Sequence, residues 1–359
     1  MSVGRQGNFA SDNTAPIAAE ILAAVLAANA GPADAYGADP LTDRLRLLAR
    51  EVFETELDIF PVATGTAANG LALASACPPY GAVYCHEHAH ILLEECGGPE
   101  FFTGGAKLVA VPGAHGKIDL PSLRERLDLA RAGGVHHVRP AVVSLTQATE
   151  WGTVYRIDEI AAIAELAHRE GLKVHLDGAR LANAIASLGC TPAAATWQAG
   201  VDLLSLGATK NGAMAAEAVI VFDRTLAAGF AERRKRAGQL LSKMRFLSAQ
   251  LVASLEDGRW LSYAAHANAM AQRLAQGLSQ LPGLRLVQPV EANELFLTMP
   301  ESLIRSLHAA GFVFYRWMSA AGAQDPVVRL VTSFATQPAD VDALVSAAAR
   351  LTVPDSAPR

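Results

Sequence analysis

Short apolar runs closed by small residues alternate along the chain with longer stretches whose apolar residues recur at helical spacing. LDIFPVA, KLVAV, AVVSLT, LKVHLDG, LLSLG and EAVIVF are rich in Val, Leu and Ile and carry few polar residues. Near-continuous apolarity over so short a length predicts strands buried on both faces, as in an open parallel sheet covered by helices. Between them, Ile160, Ile163, Ala164, Leu166 and Ala167 form one face of a helix over 158–170, with Asp158 as its cap and Gly171 as its stop. Leu41, Leu45 and Leu48 line another helix behind a turn at Gly37 and Pro40, and Tyr36 sits in that turn. An Ala- and Leu-rich helix of about 14 residues follows Pro16, with Asp12, Asn13 or Thr14 as cap. A further helix begins near Asp119, and a long one covers roughly 240–256.

Beyond Trp260 the pattern changes to helix, strand, strand, helix, strand, helix, with LRLVQP, NELFLTM and VVRLVTSF as the strands. That is the size of a small α+β unit. The length of 359 residues exceeds one ordinary core. The expected organisation is a polar arm over 1–14, a large α/β domain over 15–256 and a small C-terminal α+β domain over 257–359.

Charge narrows the partners. The formal net charge of -5 is mild and unclustered, so neither nucleic acid nor an anionic membrane is indicated, and a small-molecule enzyme fits better. MSVGRQGNFASDN lacks the apolar centre of a signal peptide and no run reaches membrane-span length, which reads as a cytoplasmic protein. Cys77, Cys85, Cys96 and Cys190 show no CxxC or disulfide-like spacing and read as buried thiols in a reducing compartment.

Chemistry concentrates between Leu172 and Lys210. LKVHLDGAR delivers Asp177 and Arg180, and LLSLGATKNG delivers Lys210. Ligands collect at the carboxyl ends of strands in such sheets, so an acid and an amine would meet at one rim. Pyridoxal phosphate needs a lysine to hold its aldehyde and an acid to keep its ring nitrogen protonated. LDIFPVA runs into Thr64-Gly65-Thr66 and a small-residue helix; this is either an anion site at a helix N-terminus or a plain tight turn. His86, His88 and His90 alternate, which suits zinc, a ring covering a cofactor, or structural histidines. Glu150 stands just past the AVVSLT strand, lining a site or facing solvent. Arg329 lies inside an apolar strand, where burial is costly without an anionic partner such as a substrate carboxylate. The basic segment AERRKRAGQLLSKMRF is either a solvated helix end or the source of an arginine that crosses a subunit boundary to a phosphate.

In order along the chain, SDN (Ser11–Asn13), YGADP (Tyr36–Pro40), TGTAAN (Thr64–Asn69), HAH (His88–His90), HLDGAR (His175–Arg180), TKNG (Thr209–Gly212) and VRLVT (Val328–Thr332) resemble the motifs of the threonine aldolases. These belong to the aspartate-aminotransferase-like, fold type I enzymes that use pyridoxal phosphate. The resemblance implies a mainly parallel seven-stranded sheet in the large domain. It implies that Lys210 holds the cofactor, that Asp177 pairs with the pyridine nitrogen, and that Gly65 and Thr66 bind the phosphate. Arg245 would reach a phosphate from the neighbouring subunit, and His90 would stack on the ring. Ser11, Arg180 and Arg329 would hold the substrate carboxylate, Arg180 also lying near the cofactor hydroxyl, and Tyr36 would belong to the substrate site. No metal is assigned.

The implied activity is cleavage of β-hydroxy-α-amino acids such as L-threonine, L-allo-threonine and phenylserine to glycine and an aldehyde, in a tetramer built from dimers. One position departs from the family: many members carry a histidine where this chain has Glu150, followed by Trp151. The base for the β-hydroxyl is therefore His90 or Glu150, directly or through water. The same fold could instead run transamination, racemisation or β-elimination, and a zinc protein built on His86, His88 and His90 is the reading from a different class.

Overall fold

The apolar runs pair with one another, because strands covered on both faces can satisfy their backbone groups only on neighbouring strands. In a computed structural model of the chain, which describes residues 7–317 and 325–352, the arm contributes Gly7–Asn8 (β1). The main strands are Asp58–Val62 (β2), Gly81–His86 (β3), Lys107–Val111 (β4), Arg139–Thr146 (β5), Lys173–Gly178 (β6), Leu203–Gly207 (β7) and Glu217–Val221 (β8). They form one seven-stranded sheet in the order β2-β8-β7-β6-β5-β3-β4, as expected of a mainly parallel sheet. Only β8 is reversed, running antiparallel to both β2 and β7.

The register decides what the rim presents. Thr146 of β5 stands opposite Asp177 of β6, and Asp177 opposite Ser205 of β7. Residues opposite one another in a sheet share a face, so these three polar groups form a row across adjacent strands at their carboxyl ends.

The C-terminal region forms a second sheet of Arg285–Leu286 (β9), Glu294–Thr298 (β10), Tyr315–Arg316 (β12) and Val327–Val331 (β13), ordered β12-β13-β10-β9. Its pairings are antiparallel, and Arg329 stands opposite both Phe296 and Tyr315. β1 pairs in parallel with Phe312–Val313 (β11). Phe9 is 1% exposed and belongs to the core of this second unit, with Leu274, Leu297, Ile304 and Leu344. Burying one such aromatic contributes about 1.5–3 kcal/mol, enough to fasten the arm. The helix Arg259–Leu278 joins the two cores: Trp260 and Ala264 pack with the large sheet, Met270 and Leu274 with the small one.

Several local expectations are corrected. The first helix is Ala19–Ala27, and its cap position is Ala18, while Asp12 is buried and paired elsewhere. The helix expected over 158–170 is Ile157–Arg169, capped at Arg156 rather than Asp158. Glu159 accepts the Arg156 backbone N–H at 2.7 Å, and the Arg156 guanidinium grips Asp158, so Asp158 serves the first turn from inside it. The helix placed over about 240–256 is Arg245–Leu255. Of the cysteines, Cys77 and Cys85 are buried, but Cys96 is exposed and Cys190 half-buried. Among the described residues no helix is long and apolar enough to cross a membrane.

Candidate active site

The row at the sheet rim opens into a cavity of about 430 Å³ lined by Gly65, Thr66, Asn69, His90, Glu150, Asp177, Ser205 and Lys210. Asp177 is 4% exposed. Its Oδ2 accepts from Asn69 Nδ2 at 2.8 Å and its Oδ1 from the Ala179 backbone N–H at 3.1 Å. Two donors of this kind stabilise an ionised carboxylate away from water. Below it, buried His175 bridges Ser144 and Ser205 at 2.9 and 3.0 Å. Burial drives the His175 imidazole down to about 4, so it is neutral.

Opposite the acid, Lys210 lies in the short turn Thr209–Asn211 that follows β7. Gly212 closes that turn with φ +101, where a Cβ would also come within 3.0 Å of Ala18; glycine adopts such backbone without strain. The buried Glu217 of β8 accepts the Ala208 backbone N–H at 3.0 Å. Burial pushes its carboxyl up to about 7, against the pull of Thr209 and Lys210.

Gly65 and Thr66 open the helix Gly65–Ala76, and Thr64 caps it by accepting the Ala67 backbone N–H. A Cβ on Gly65 would meet nothing within 4 Å, so the cavity reaches the backbone at the positive end of this helix. That is the setting for an anion.

Glu150 stands between this cavity and an outer one of about 450 Å³. Its Oε1 accepts from the His90 backbone N–H at 2.7 Å and from Thr146 Oγ1 at 2.8 Å. Its Oε2 is buried without a hydrogen-bond partner. Burial pushes the Glu150 carboxyl up to about 7, and the nearby Asp177 adds to the shift. A proton acceptor poised near neutrality suits acid–base work.

The outer cavity is lined by Ser11, His88, Trp151, Arg180, Glu294, Trp317 and Arg329, among others. Arg180 donates to Asp12 through Nε at 2.7 Å and NH2 at 3.0 Å, and lies 3.2 Å from Glu294. Burial opposes a charged Arg180, yet Asp12 and Glu294 outweigh it and hold it above its ordinary value. Burial would likewise raise Asp12, but Arg180 and Lys210 keep it below the usual carboxylate value. Arg329 stacks over Trp317 at 4.4 Å and is 3.8 Å from Glu294. Ser11 caps the turn behind it by accepting the Asn13 backbone N–H at 3.2 Å. Trp151 packs on Phe296 with ring centroids 5.1 Å apart, and its indole N–H donates to His88 Nδ1 at 2.8 Å.

The chain thus gathers Lys210, Asp177, His90, Glu150, Gly65, Thr66, Arg180, Ser11 and Arg329 around two joined cavities. Tyr36 and Arg245 are not among the residues lining either one. Tyr36 is half exposed beneath the Lys235 ammonium, and Arg245 lines a separate groove with Arg44 and Glu256. The histidine cluster is divided: His86 pairs with the Gly113 carbonyl, His88 with Trp151, and only His90 enters the inner cavity. Among the described residues no group of three His, Cys, Asp or Glu side chains could hold a metal ion.

Sequence reasoning missed Asp12, Asn69, Glu95 and Glu294. Asp12 and Asn69 lay inside the SDN and TGTAAN motifs, which was the available signal; for Glu95 and Glu294 spacing offered none.

A seven-stranded, mainly parallel sheet with an acid and an amine at one rim, and a small antiparallel domain closing over it, defines a fold type I enzyme. The profile of the Beta-eliminating lyase family matches residues 8–302. The chain is 47% identical over 338 residues to a low specificity L-threonine aldolase of a Pseudomonas species, covering 94% of this chain and 96% of that one. It is 48% identical to the protein of the same name from Pseudomonas aeruginosa over 316 residues, 88% of this chain and 91% of that one. A solved threonine aldolase from Leishmania major superposes with a TM-score of 0.91 at 29% identity, covering 97% of this chain and all of that one. The chain therefore belongs to the beta-eliminating lyase family, on its threonine aldolase branch.

Proposed function

We propose that this protein is a pyridoxal-phosphate-dependent aldolase that cleaves the Cα–Cβ bond of β-hydroxy-α-amino acids, threonine and phenylserine among them. It acts as a cytoplasmic tetramer built from dimers, in which Arg245 and Tyr36 serve the neighbouring subunit's site. The observation that carries the reading is the position of Glu150, whose unpartnered Oε2 stands where the cavity holding Lys210 and Asp177 meets the one holding Arg329.

The residues present fit the cofactor. Lys210 would hold its aldehyde, Asp177 its ring nitrogen, and the open backbone at Gly65 and Thr66 its phosphate, with His90 over the ring. When bound, the cofactor supplies a protonated ring that takes up the electron pair released at Cα.

Arg329, backed by Trp317, binds the substrate carboxylate and with Ser11 fixes which bond at Cα faces the ring. Orientation of this kind can contribute several kcal/mol, about 7–11 at best. Glu150 accepts the β-hydroxyl proton as the C–O bond becomes C=O and the Cα–Cβ bond breaks. The aldehyde leaves, and a proton delivered to Cα completes glycine. Trp151, Phe296 and Trp317 form an apolar wall beside this position, which supports a β-substituent as large as phenyl.

The test is incubation with threonine or phenylserine in the absence of any keto acid. Glycine should appear in step with acetaldehyde or benzaldehyde. An absolute requirement for a keto acid, or no glycine from either substrate, would overturn the reading.

Glu150→Gln tests the base separately. Glu150 is protonated below about 7, so its basic form, and the wild-type rate, should rise as pH increases through that value. The glutamine variant should lose about a hundredfold or more in kcat/KM and show no such rise. An unchanged rate and pH profile would remove Glu150 from the role.

A further inference from the structure

The ring of His90 is tied to a carboxylate that the reaction above does not use. Glu95 lies in the turn after the short helix His90–Leu93, and its side chain is 0% exposed. Its Oε1 meets His90 Nδ1 at 2.9 Å and accepts from Asn69 Nδ2 at 2.8 Å. The same Asn69 Nδ2 donates to Asp177 Oδ2. Glu95 Oε2 and Asn69 Oδ1 are buried with no hydrogen-bond partner.

Donor accounting fixes the protons. An amide nitrogen carries two hydrogens, and Asn69 spends both on carboxylates; turned over, its oxygen would face two acceptors. Glu95 Oε1 accepts from Asn69, and with Glu95 ionised the hydrogen between it and His90 lies on Nδ1, so Nε2 is left as the variable position of the ring. A fully buried carboxylate with one bare oxygen is costly unless a cation stands beside it. His90 is the cationic partner within reach of Glu95, at the 2.9 Å contact.

We propose that Glu95 is a positioning residue, which locks the His90 imidazole in its Nδ1–H form, favours its positive charge, and couples it through Asn69 to Asp177. The other groups facing His90 are Asp177, Lys210 and Glu150. The hydrogen bond to Glu95 raises the imidazole above its ordinary value against the effect of burial; Asp177 acts in the same direction and Lys210 opposes it. Glu150 is engaged with the His90 backbone N–H rather than the ring. One carboxylate thus sets the ring and another the backbone of a single residue at the junction of the two cavities. His90, which lines both cavities, would thereby be held in one ring orientation when the cofactor is bound. For its kinetic consequence this role rests on the aldolase reading; the proton on His90 does not.

The measurement is the pH dependence of hydrogen–deuterium exchange at the His90 imidazole C2 position, followed by peptide mass spectrometry on the purified full-length enzyme. Wild type should show a midpoint above the ordinary histidine value of about 6.5. Glu95→Gln, which keeps the shape and removes the charge, should lower it by about one unit. In the same variant kcat should fall about tenfold while KM changes little, the pattern of a group acting through another. Coincident midpoints in the two proteins would overturn the proposal. If the variant does not fold, a wild-type midpoint at or below about 6.5 overturns it alone. A normal His90 shift in a protein that makes no glycine would instead count against the aldolase reading.

Discussion

Replacing Lys210 with alanine is expected to abolish turnover, a loss of at least about ten-thousandfold, and with it the cofactor's absorption near the visible edge. The chain has six lysines, and Lys210 alone lines the inner cavity. Lys117 is paired with Glu159 at 2.8 Å and Lys173 with Asp223 at 2.7 Å. Lys235 lies over the Tyr36 ring, and Lys107 and Lys243 are exposed. No other ammonium can replace the missing one, and a lost nucleophile is not recovered by binding alone. The check combines glycine release with borohydride reduction and intact mass: wild type should retain the cofactor covalently and the variant should not. A variant that turns over at the wild-type rate would sink the assignment of Lys210. Lys210 is half-buried, and its turn is anchored by Asn211, whose side-chain amide donates to the Trp260 carbonyl at 2.8 Å, so the fold should persist in the alanine variant, and thermal unfolding should be close to that of wild type without cofactor.

The elements that place Lys210 and Asp177 were legible because they are local. A buried strand of about five residues needs only its own apolar run, and the glycine ending it marks the rim. The register that aligns Thr146, Asp177 and Ser205 was not legible, since it arises between strands far apart in sequence. The same holds for charge pairs. Arg180, which the family resemblance assigns to the substrate carboxylate and the cofactor hydroxyl, lines both cavities and is also gripped by Asp12, 168 positions away, and flanked by Glu294. For Arg329 the sequence could show that a buried arginine needs an anion but not that Glu294 of the same chain would lie 3.8 Å from it. Arg156 in place of Asp158 as cap shows the local limit, because a favourable cap residue can stand one or two positions inside its helix and still serve its first turn. Tyr36 and Arg245, drawn to the site by family motifs, lie outside both cavities of the single chain.

Asp177→Asn should leave the cofactor attached to Lys210 and reduce kcat on the order of a thousandfold, a change of about 4 kcal/mol in the barrier. The amide retains the shape and the acceptor that meets Asn69, its NH2 then facing the Ala179 backbone N–H, but it carries no charge to hold a ring proton. Asparagine tests this better than alanine, which would leave the Asn69 donor facing a void and add a folding cost of about 1–3 kcal/mol. The effect should fall on kcat rather than KM, because Arg329 and Ser11, the residues proposed to bind the carboxylate, stand on β13 and the arm, away from β6. Glu95, held by the same Asn69, cannot substitute: its nearer oxygen is already shared between Asn69 and His90. The comparison needs kcat and KM for phenylserine in both proteins, with cofactor content measured by intact mass. A variant with full cofactor content and more than about a tenth of wild-type kcat would mean that the carboxylate charge contributes less than about 1.4 kcal/mol. The protonated ring would then have to be held by another group. Among the described residues lining the inner cavity the other carboxyls are Glu95, Glu150 and Glu217; burial pushes Glu150 and Glu217 up to about 7, and the His175 beneath Asp177 is neutral.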